Sequence, residues 1–339
     1  MYPWDLSRFP NYDAATEIAR VPASSLTPES FHRDFVVRSR PCLIEGAASH
    51  WPALQKWPEH SYLIERCGEK PVLARLGVVS LQPKSRSEQP TGSDPREPNV
   101  QRQTLSFEAF LARVGEACTG DTSDSMSIKG VFGRVVPGLY PAIESDLFTS
   151  LLPDIHDLPF CERLTRKLTV FPEWRAFVGK ATYTDWHFHP YSEQVLVQVI
   201  GTKEILLLPD GRLTFEIFKK ISSVVRARGG NLYGSDLVDT VPETKQLRPA
   251  RVLLEPGNAL YFPNLYWHAV MARSEGLQFS VVAAYDAALR FGFHRPAGLD
   301  ALRSMMRFVN WPNRVRLIAA AIGGYSTSVF SPSNDWLME

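Results

Sequence analysis

The apolar positions change their spacing along the chain, and that change predicts where helices and strands fall. Thr27-Pro28-Glu29-Ser30-Phe31 reads as a helix start, with Thr27 as cap and Pro28 in the first turn. Arg40-Pro41-Cys42-Leu43-Ile44 reads as a short buried strand ended by Glu45-Gly46, and Leu105–Leu111 as the start of an amphipathic helix. Residues 1–75 are expected to be mixed and mostly helical, with short strands. Between about 165 and 285 short β-rich runs alternate with Gly and Pro turns. Gln194–Leu208 is two strand-like runs broken by Gly201-Thr202, which predicts a hairpin. Arg251–Leu254, Ala259–Phe262 and Gln278–Ala283 are further strands. Thr214–Ala227 has helical spacing, Gly229–Gln246 reads as loop, and 296–323 returns to helix.

Closely spaced strands of this kind predict a small barrel or double-sheet jelly roll. The expected fold is mainly β with flanking helices: a double-stranded β-helix core, an N-terminal α/β cap and C-terminal helices. The expected division is a mixed cap over 1–150, a barrel over 151–290 and helices over 291–339. Residues 80–103 are polar and Pro-rich, so a mobile loop is expected there.

Composition narrows the function. Of 339 residues, 44% are hydrophobic and 22% charged, which suits a packed globular chain. Lys plus Arg is 37 against 36 for Asp plus Glu, so the net charge is +1 and the basic excess that phosphate binding favours is missing. Nucleic acid is therefore disfavoured as a partner. No run approaches the roughly 20 apolar residues of a bilayer span, so no membrane role is expected. The four cysteines, at 42, 67, 118 and 161, form no C-x-x-C and are expected to be reduced thiols of a cytoplasmic protein.

Candidate chemistry lies in three of the eight histidines. In Thr184-Asp185-Trp186-His187-Phe188-His189 the two imidazoles are i and i+2, on one face of a strand with Cα atoms roughly 6.5–7 Å apart. A metal site takes such a pair plus a ligand from a distant element. His268 suits that part, delivered by a short aromatic turn after a strand that ends at Pro263. The other five read as ordinary core or surface histidines. Three imidazoles also suit zinc, nickel or copper.

These motifs resemble a family. His187-Phe188-His189, then Glu193 and Gly201, resembles the first cupin motif; Gly257, Pro263 and His268 have the spacing of the second, with Leu265 where a Gly is common. The resemblance is closer to the cupin-like JmjC hydroxylases, iron(II) and 2-oxoglutarate oxygenases related to the asparaginyl hydroxylase of hypoxia-inducible factor. Leu260-Tyr261-Phe262-Pro263 followed by Tyr266-Trp267-His268 resembles that family's L-Y-I-P-x-x-W-W-H, and Gln198-Val199-Ile200-Gly201-Thr202-Lys203 its Q-V-x-G-x-K. Arg40-Pro41, Gly46, Trp51-Pro52-Ala53 and Trp57 resemble its N-terminal segment, so the likeness runs from about 30 to 285.

The resemblance implies iron(II) on His187, His189 and His268. It implies 2-oxoglutarate anchored at its far carboxylate by Lys203 and Thr184, with O₂ and an unidentified primary substrate as the remaining partners. From local sequence alone Lys203 reads as a solvated charge. Tyr183 and Tyr261 are candidates to line the pocket; Asp185, Trp186 and Tyr191 are candidates for its mouth, with rim packing as the other reading of Trp186 and Tyr191. Two departures stand out: the family has H-x-D or H-x-E where this chain has His189, and the spacing from His187 to Gly201 is one residue longer. Glu193 is therefore a candidate fourth ligand or supporting carboxylate. The expected activity is hydroxylation of a protein side chain or small metabolite. The alternatives are a three-His cupin that needs no 2-oxoglutarate, acting as a dioxygenase or isomerase, and a metal- or ligand-binding cupin without catalysis. In related enzymes C-terminal helices form a dimer interface, so a homodimer through 296–323 is expected.

Overall fold

The computed structural model describes residues 4–77, 101–116, 118, 124–132, 148–164, 174–189, 192–209, 211–228 and 234–286. The expected C-terminal helices, Tyr191 and most of the expected loop at 80–103 lie outside the described residues.

The thirteen described strands form two sheets. The larger contains β1 (Ala19–Pro22), β2 (Cys42–Glu45), β3 (Pro71–Leu76), β4 (Gln101–Ser106), β5 (Met126–Phe132), β6 (Trp174–Lys180), β8 (Ser192–Ile200), β11 (Ala259–Phe262) and β13 (Gln278–Asp286), in the order β1-β2-β11-β8-β13-β6-β5-β3-β4. The smaller contains β7 (Tyr183–His187), β9 (Lys203–Leu208), β10 (Ala250–Leu254) and β12 (Trp267–Ala272), in the order β10-β9-β12-β7. From β6 to β13 the chain switches repeatedly between the sheets, which is the winding of a jelly roll.

The hairpin expected across Gly201-Thr202 does not form. β8 pairs with β11 and β13, whereas β9 pairs with β10 and β12. Both edges of each strand are taken by distant partners, so the turn is a corner between sheets. Gly201 sits at φ +73°, and a Cβ there would come 2.3 Å from the Gln278 amide, so this corner needs glycine.

Three apolar layers follow from this winding. Between the sheets lie Leu43, Leu196, Ile205, Leu207, Val252, Leu260, Phe262 and Val282. On the outer face of the large sheet, short helices bury Phe31, Trp51, Trp57, Phe107, Phe110 and Phe148. Asp154 locks this layer, accepting from Lys56 Nζ at 2.7 Å, Trp57 Nε1 at 3.0 Å and Tyr62 OH at 2.6 Å. On the outer face of the small sheet, α5 (Arg212–Arg228) packs Ile217 and Phe218 against Leu206, Leu208, Ala269 and Met271, together with Trp4, Leu6 and Phe9. A strand covered on both faces shows no apolar/polar alternation, and β8 is accordingly apolar or buried at nearly every position.

The N-terminal third is mixed, with the expected short strands more prominent beside its helices than a mostly helical reading implies. It supplies four strands, β1 to β4, to the large sheet among short helices: α1 (Pro28–Phe31), α2 (Ala53–Lys56), α3 (His60–Cys67) and α4 (Phe107–Val114). Thr27 caps α1 as expected, in a reciprocal pair with Ser30. β4 begins at Gln101, inside the stretch expected to be loop, and ends at Ser106, which caps α4. The expected loop at 229–246 contains α6 (Gly234–Thr240) and a 3₁₀ turn, Pro242–Gln246. The apolar pattern marks neither β5 nor β6. All four cysteines are free thiols. No helix among the described residues is long and apolar enough to cross a membrane.

Candidate metal centre

The register of β7 and β12 brings the histidines together. His187, the last residue of β7, is the cross-strand partner of His268 on β12. His189 follows two residues later, its backbone carbonyl accepting from Leu265 N at 2.9 Å. Leu265 has φ +62°, the left-handed conformation that explains why glycine is common at this place in cupin motifs. Ring centroids are 4.1 Å apart for His187 and His268, 5.0 Å for His187 and His189, and 5.1 Å for His189 and His268. One ring nitrogen from each lies within 4.8 Å of the others. That separation is close to the spacing of nitrogens that share one ion at the roughly 2.1 Å of a metal–imidazole bond.

Two of the three tautomers are fixed by the backbone. His187 Nδ1 lies 2.8 Å from the Asp185 carbonyl and His268 Nδ1 lies 2.9 Å from the Tyr266 carbonyl. A carbonyl only accepts, so both Nδ1 atoms carry the proton and both Nε2 lone pairs face the site. Burial holds all three imidazoles uncharged: it lowers His187 to about 4 against its carbonyl bond, and it lowers His189 and His268 well below the ordinary value, helped by their neighbours' charges. Uncharged imidazole is the ligand form. On the outer face, Trp267 stacks on Phe218 at 4.3 Å and Trp186 packs between Phe9 and Phe218, so the ligand-bearing strands are clamped from behind.

Lys203 opens β9, and its neighbours Ile205 and Leu207 at alternate positions face the space between the sheets. It is 6% exposed, and no hydrogen bond or ion pair reaches its ammonium among the described residues. Burial alone lowers its pKa to about 8. Local sequence reads it as a solvated charge; the opposite face of β9 explains why it is not. There Glu204, itself buried, takes the ion pair, accepting from Arg273 Nε at 2.7 Å and Tyr12 OH at 2.5 Å. Leu207 is the partner of His268, so Lys203 is four residues, roughly 13 Å, below the imidazoles. An extended lysine side chain and a five-carbon dicarboxylate together cover that span. Thr184 is the partner of Val270, which packs into the layer between the sheets; it stands exposed on the edge strand β7.

Glu193 does not join the three histidines. It is buried on β8, where Oε2 accepts from Tyr261 OH at 2.8 Å and from Asn264 N at 3.1 Å. It shares its strand face with Val195, Val197 and Val199, which pack into the helical layer, so alternation turns it away from the barrel. Tyr261 follows it there. Tyr183 packs in the outer layer under α5 with its OH donating to Asp185 at 2.9 Å, so neither tyrosine lines the well. Asp185 is held by that bond and by Trp186 N at 2.8 Å, and Trp186 is packing. Lys129 and Arg175, which the sequence does not single out, bear on His189 electrostatically; they lie on strands whose short apolar runs give no usable signal.

Comparison with known proteins agrees with this geometry. Residues 28–290 match the family described as Cupin-like domain. The chain is 26% identical over 270 residues to Jumonji C domain-containing protein 5 of Drosophila melanogaster, covering 78% of this chain and 59% of that protein. It is 26% identical over 258 residues to Lysine-specific demethylase JMJ30 of Arabidopsis thaliana, covering 76% and 53%. With tRNA wybutosine-synthesizing protein 5 of Danio rerio it shares 25% identity over 296 residues, covering 82% and 81%. The chain thus spans little more than half the length of the first two relatives. The family match covers most of the chain and contains every histidine of the centre, and the chain belongs to the cupin-like family of JmjC-domain proteins, which use iron(II) and 2-oxoglutarate.

Proposed function

We propose that this chain is an iron(II)- and 2-oxoglutarate-dependent oxygenase that hydroxylates a protein side chain or a small metabolite. The observation that carries the reading is the buried Lys203 ammonium, which no described residue pairs, in the same well as three converging imidazoles. A buried cation that no described residue pairs fits a site that receives an anion from outside.

His187, His189 and His268 fit the metal: three uncharged nitrogen donors on one side of an ion leave the other side open. Bound iron(II) with 2-oxoglutarate would supply the oxidising chemistry. The chain's own residues do the rest. Backbone carbonyls of Asp185 and Tyr266 orient two of the imidazoles, and Phe262 stacks on His268 at 4.6 Å. At neutral pH Lys203 is mostly protonated and would hold the distal carboxylate, with the Thr184 hydroxyl beside it. The apolar wall of Leu196, Ile205, Leu207 and Val282 keeps water from that ion pair and strengthens it.

The test is succinate formation from 2-oxoglutarate by iron-reconstituted protein. We expect it in the wild type and its loss in Lys203→Ala, with metal content unchanged. Succinate formed equally by both proteins removes the anchoring role. A second reading is favoured by His189, which stands where the family has a carboxylate: a three-His cupin that needs no keto acid. Substrate-dependent O₂ uptake without 2-oxoglutarate would select it.

A further inference from the structure

Two of the three histidines are tied to one short turn. Residues 263–266 join β11 to β12, and three successive residues of that turn each make a different bond. Asn264 N donates to Glu193 Oε2 at 3.1 Å. Leu265 N donates to the His189 carbonyl at 2.9 Å. The Tyr266 carbonyl accepts from His268 Nδ1 at 2.9 Å. The turn therefore holds the backbone of one histidine and the ring of another, and Glu193 holds the turn. Leu265, between these contacts, has φ +62°. The left-handed region strains a residue that carries a Cβ, so leucine keeps it only where the bonds around it impose it.

Strand pairing puts Glu193 where it can do this. β8 pairs with β11 so that Gln194 is opposite Phe262 and Val195 opposite Tyr261, which lays the start of β8 beside the end of β11 and the turn that follows. Glu193 and Tyr261 share the face toward the helical layer, and Tyr261 OH donates at 2.8 Å to the same oxygen that accepts from Asn264 N. Both side chains are buried. Two donors converge on one oxygen, so this place needs an acceptor at the full reach of a glutamate side chain. An amide oxygen meets that need; a carboxylate one methylene shorter does not.

We propose that Glu193 is a positioning residue for the metal centre: through Asn264 N it holds the 263–266 turn in the strained form that sets His189 and His268 against each other. It works from behind the well and touches neither metal nor substrate. If the turn relaxes, Leu265 N leaves the His189 carbonyl and the Tyr266 carbonyl turns away from His268 Nδ1, so both imidazoles lose their aim together. This role rests on the reading of His187, His189 and His268 as metal ligands and does not depend on which co-substrate they serve.

The experiment strips the full chain of metal and titrates it with cobalt(II), read by visible absorption, in the wild type, Glu193→Asp, Glu193→Gln and Glu193→Leu. The aspartate keeps the charge and withdraws the oxygen; the glutamine drops the charge and keeps an oxygen at full reach. Glu193→Asp and Glu193→Leu should each weaken cobalt binding about tenfold or more, while Glu193→Gln stays within about threefold. The cobalt spectrum should change in Glu193→Asp and match the wild type in Glu193→Gln. In the metal-free protein, amide hydrogen exchange of peptides covering 263–268 should quicken in Glu193→Asp while β6 and β13 keep their protection. Wild-type cobalt affinity in Glu193→Asp overturns the proposal. So does a Glu193→Gln variant as weak as Glu193→Asp, which would make charge the cause, or exchange that quickens across the whole chain, which would make the role merely structural. If Glu193→Leu fails to fold, the contrast between Glu193→Asp and Glu193→Gln decides. A wild type that binds no cobalt overturns the metal centre and this role with it, whereas wild-type binding with unmoved variants overturns this role alone.

Discussion

Replacing Lys203 with methionine should stabilise the free protein at neutral pH, although it is expected to end co-substrate binding. The magnitude follows from the burial of one ammonium. In water a lysine titrates near 10.5; in the wall of β9 it titrates at about 8, and burial is the only cause. At about 1.4 kcal/mol per tenfold, that difference is a penalty of about 3 kcal/mol on the folded state. Below pH 8 both states hold the proton and the penalty is felt in full. Between pH 8 and 10.5 the unfolded chain binds more protons than the folded one, so stability rises with pH; above 10.5 the penalty is gone. Methionine fills similar volume without charge, so Lys203→Met should exceed the wild type by up to about 3 kcal/mol at pH 7 and lose most of that advantage by about pH 10.5. Urea unfolding at both pH values measures this. 2-Oxoglutarate with zinc should raise the melting temperature of the wild type and leave that of the variant unmoved. A variant less stable than wild type at pH 7, or an advantage that does not shrink with pH, would show that Lys203 is paired in the folded protein and refute the reasoning.

Other outcomes follow from the same structure. His268→Ala should weaken metal binding on the order of 100-fold or more, whereas Glu193→Gln should leave metal stoichiometry unchanged, both read by elemental analysis after dialysis. Asp154→Ala should destabilise by about 3 kcal/mol by stranding the Trp57 indole, the Tyr62 hydroxyl and Lys56. Burial acts to raise the Asp154 pKa, but those three donors outweigh it and hold the carboxyl below 3.8, so its contribution is present above that pH and is lost as pH falls through the lowered value. The difference between wild type and Asp154→Ala should therefore shrink in acid, which denaturant titrations at pH 7 and pH 3 will show. Gly201→Ala should cost about 1–3 kcal/mol in thermal unfolding, since its Cβ meets buried Gln278 at a left-handed corner.

Much of the fold class and the metal centre could be read in the sequence because their signals are local. His-x-His on a strand, a histidine after a Pro-ended strand, a Thr-Pro helix start and isolated β runs each depend on a few neighbouring residues. The strand candidates at 251–254, 259–262 and 278–283 lie within β10, β11 and β13, and the helix at 214–227 lies within α5. The errors arise where identity depends on a distant partner. The run through Gly201-Thr202 has the pattern of a hairpin, and only the claim of β11, β13, β10 and β12 on its edges makes it a corner between sheets.

Glu193 shows the same division within the site. Its sequence position suits a metal ligand, but the side of β8 it occupies is set by which residues the helical layer must bury, and Tyr261 and Asn264 then take its carboxylate. Lys203 is the reverse case, a polar context whose face is decided by Ile205 and Leu207 packing between the sheets. Lys129 and Arg175 lie on strands that the apolar pattern does not mark, and they become neighbours only when β5 and β6 pair. The sequence by itself determined the ligand types, their spacing and the β-rich core that carries them. Tertiary structure decided which face each charged side chain occupies, because a strand alternates faces with every residue and only the packing of both sheets selects which of the two is the inside.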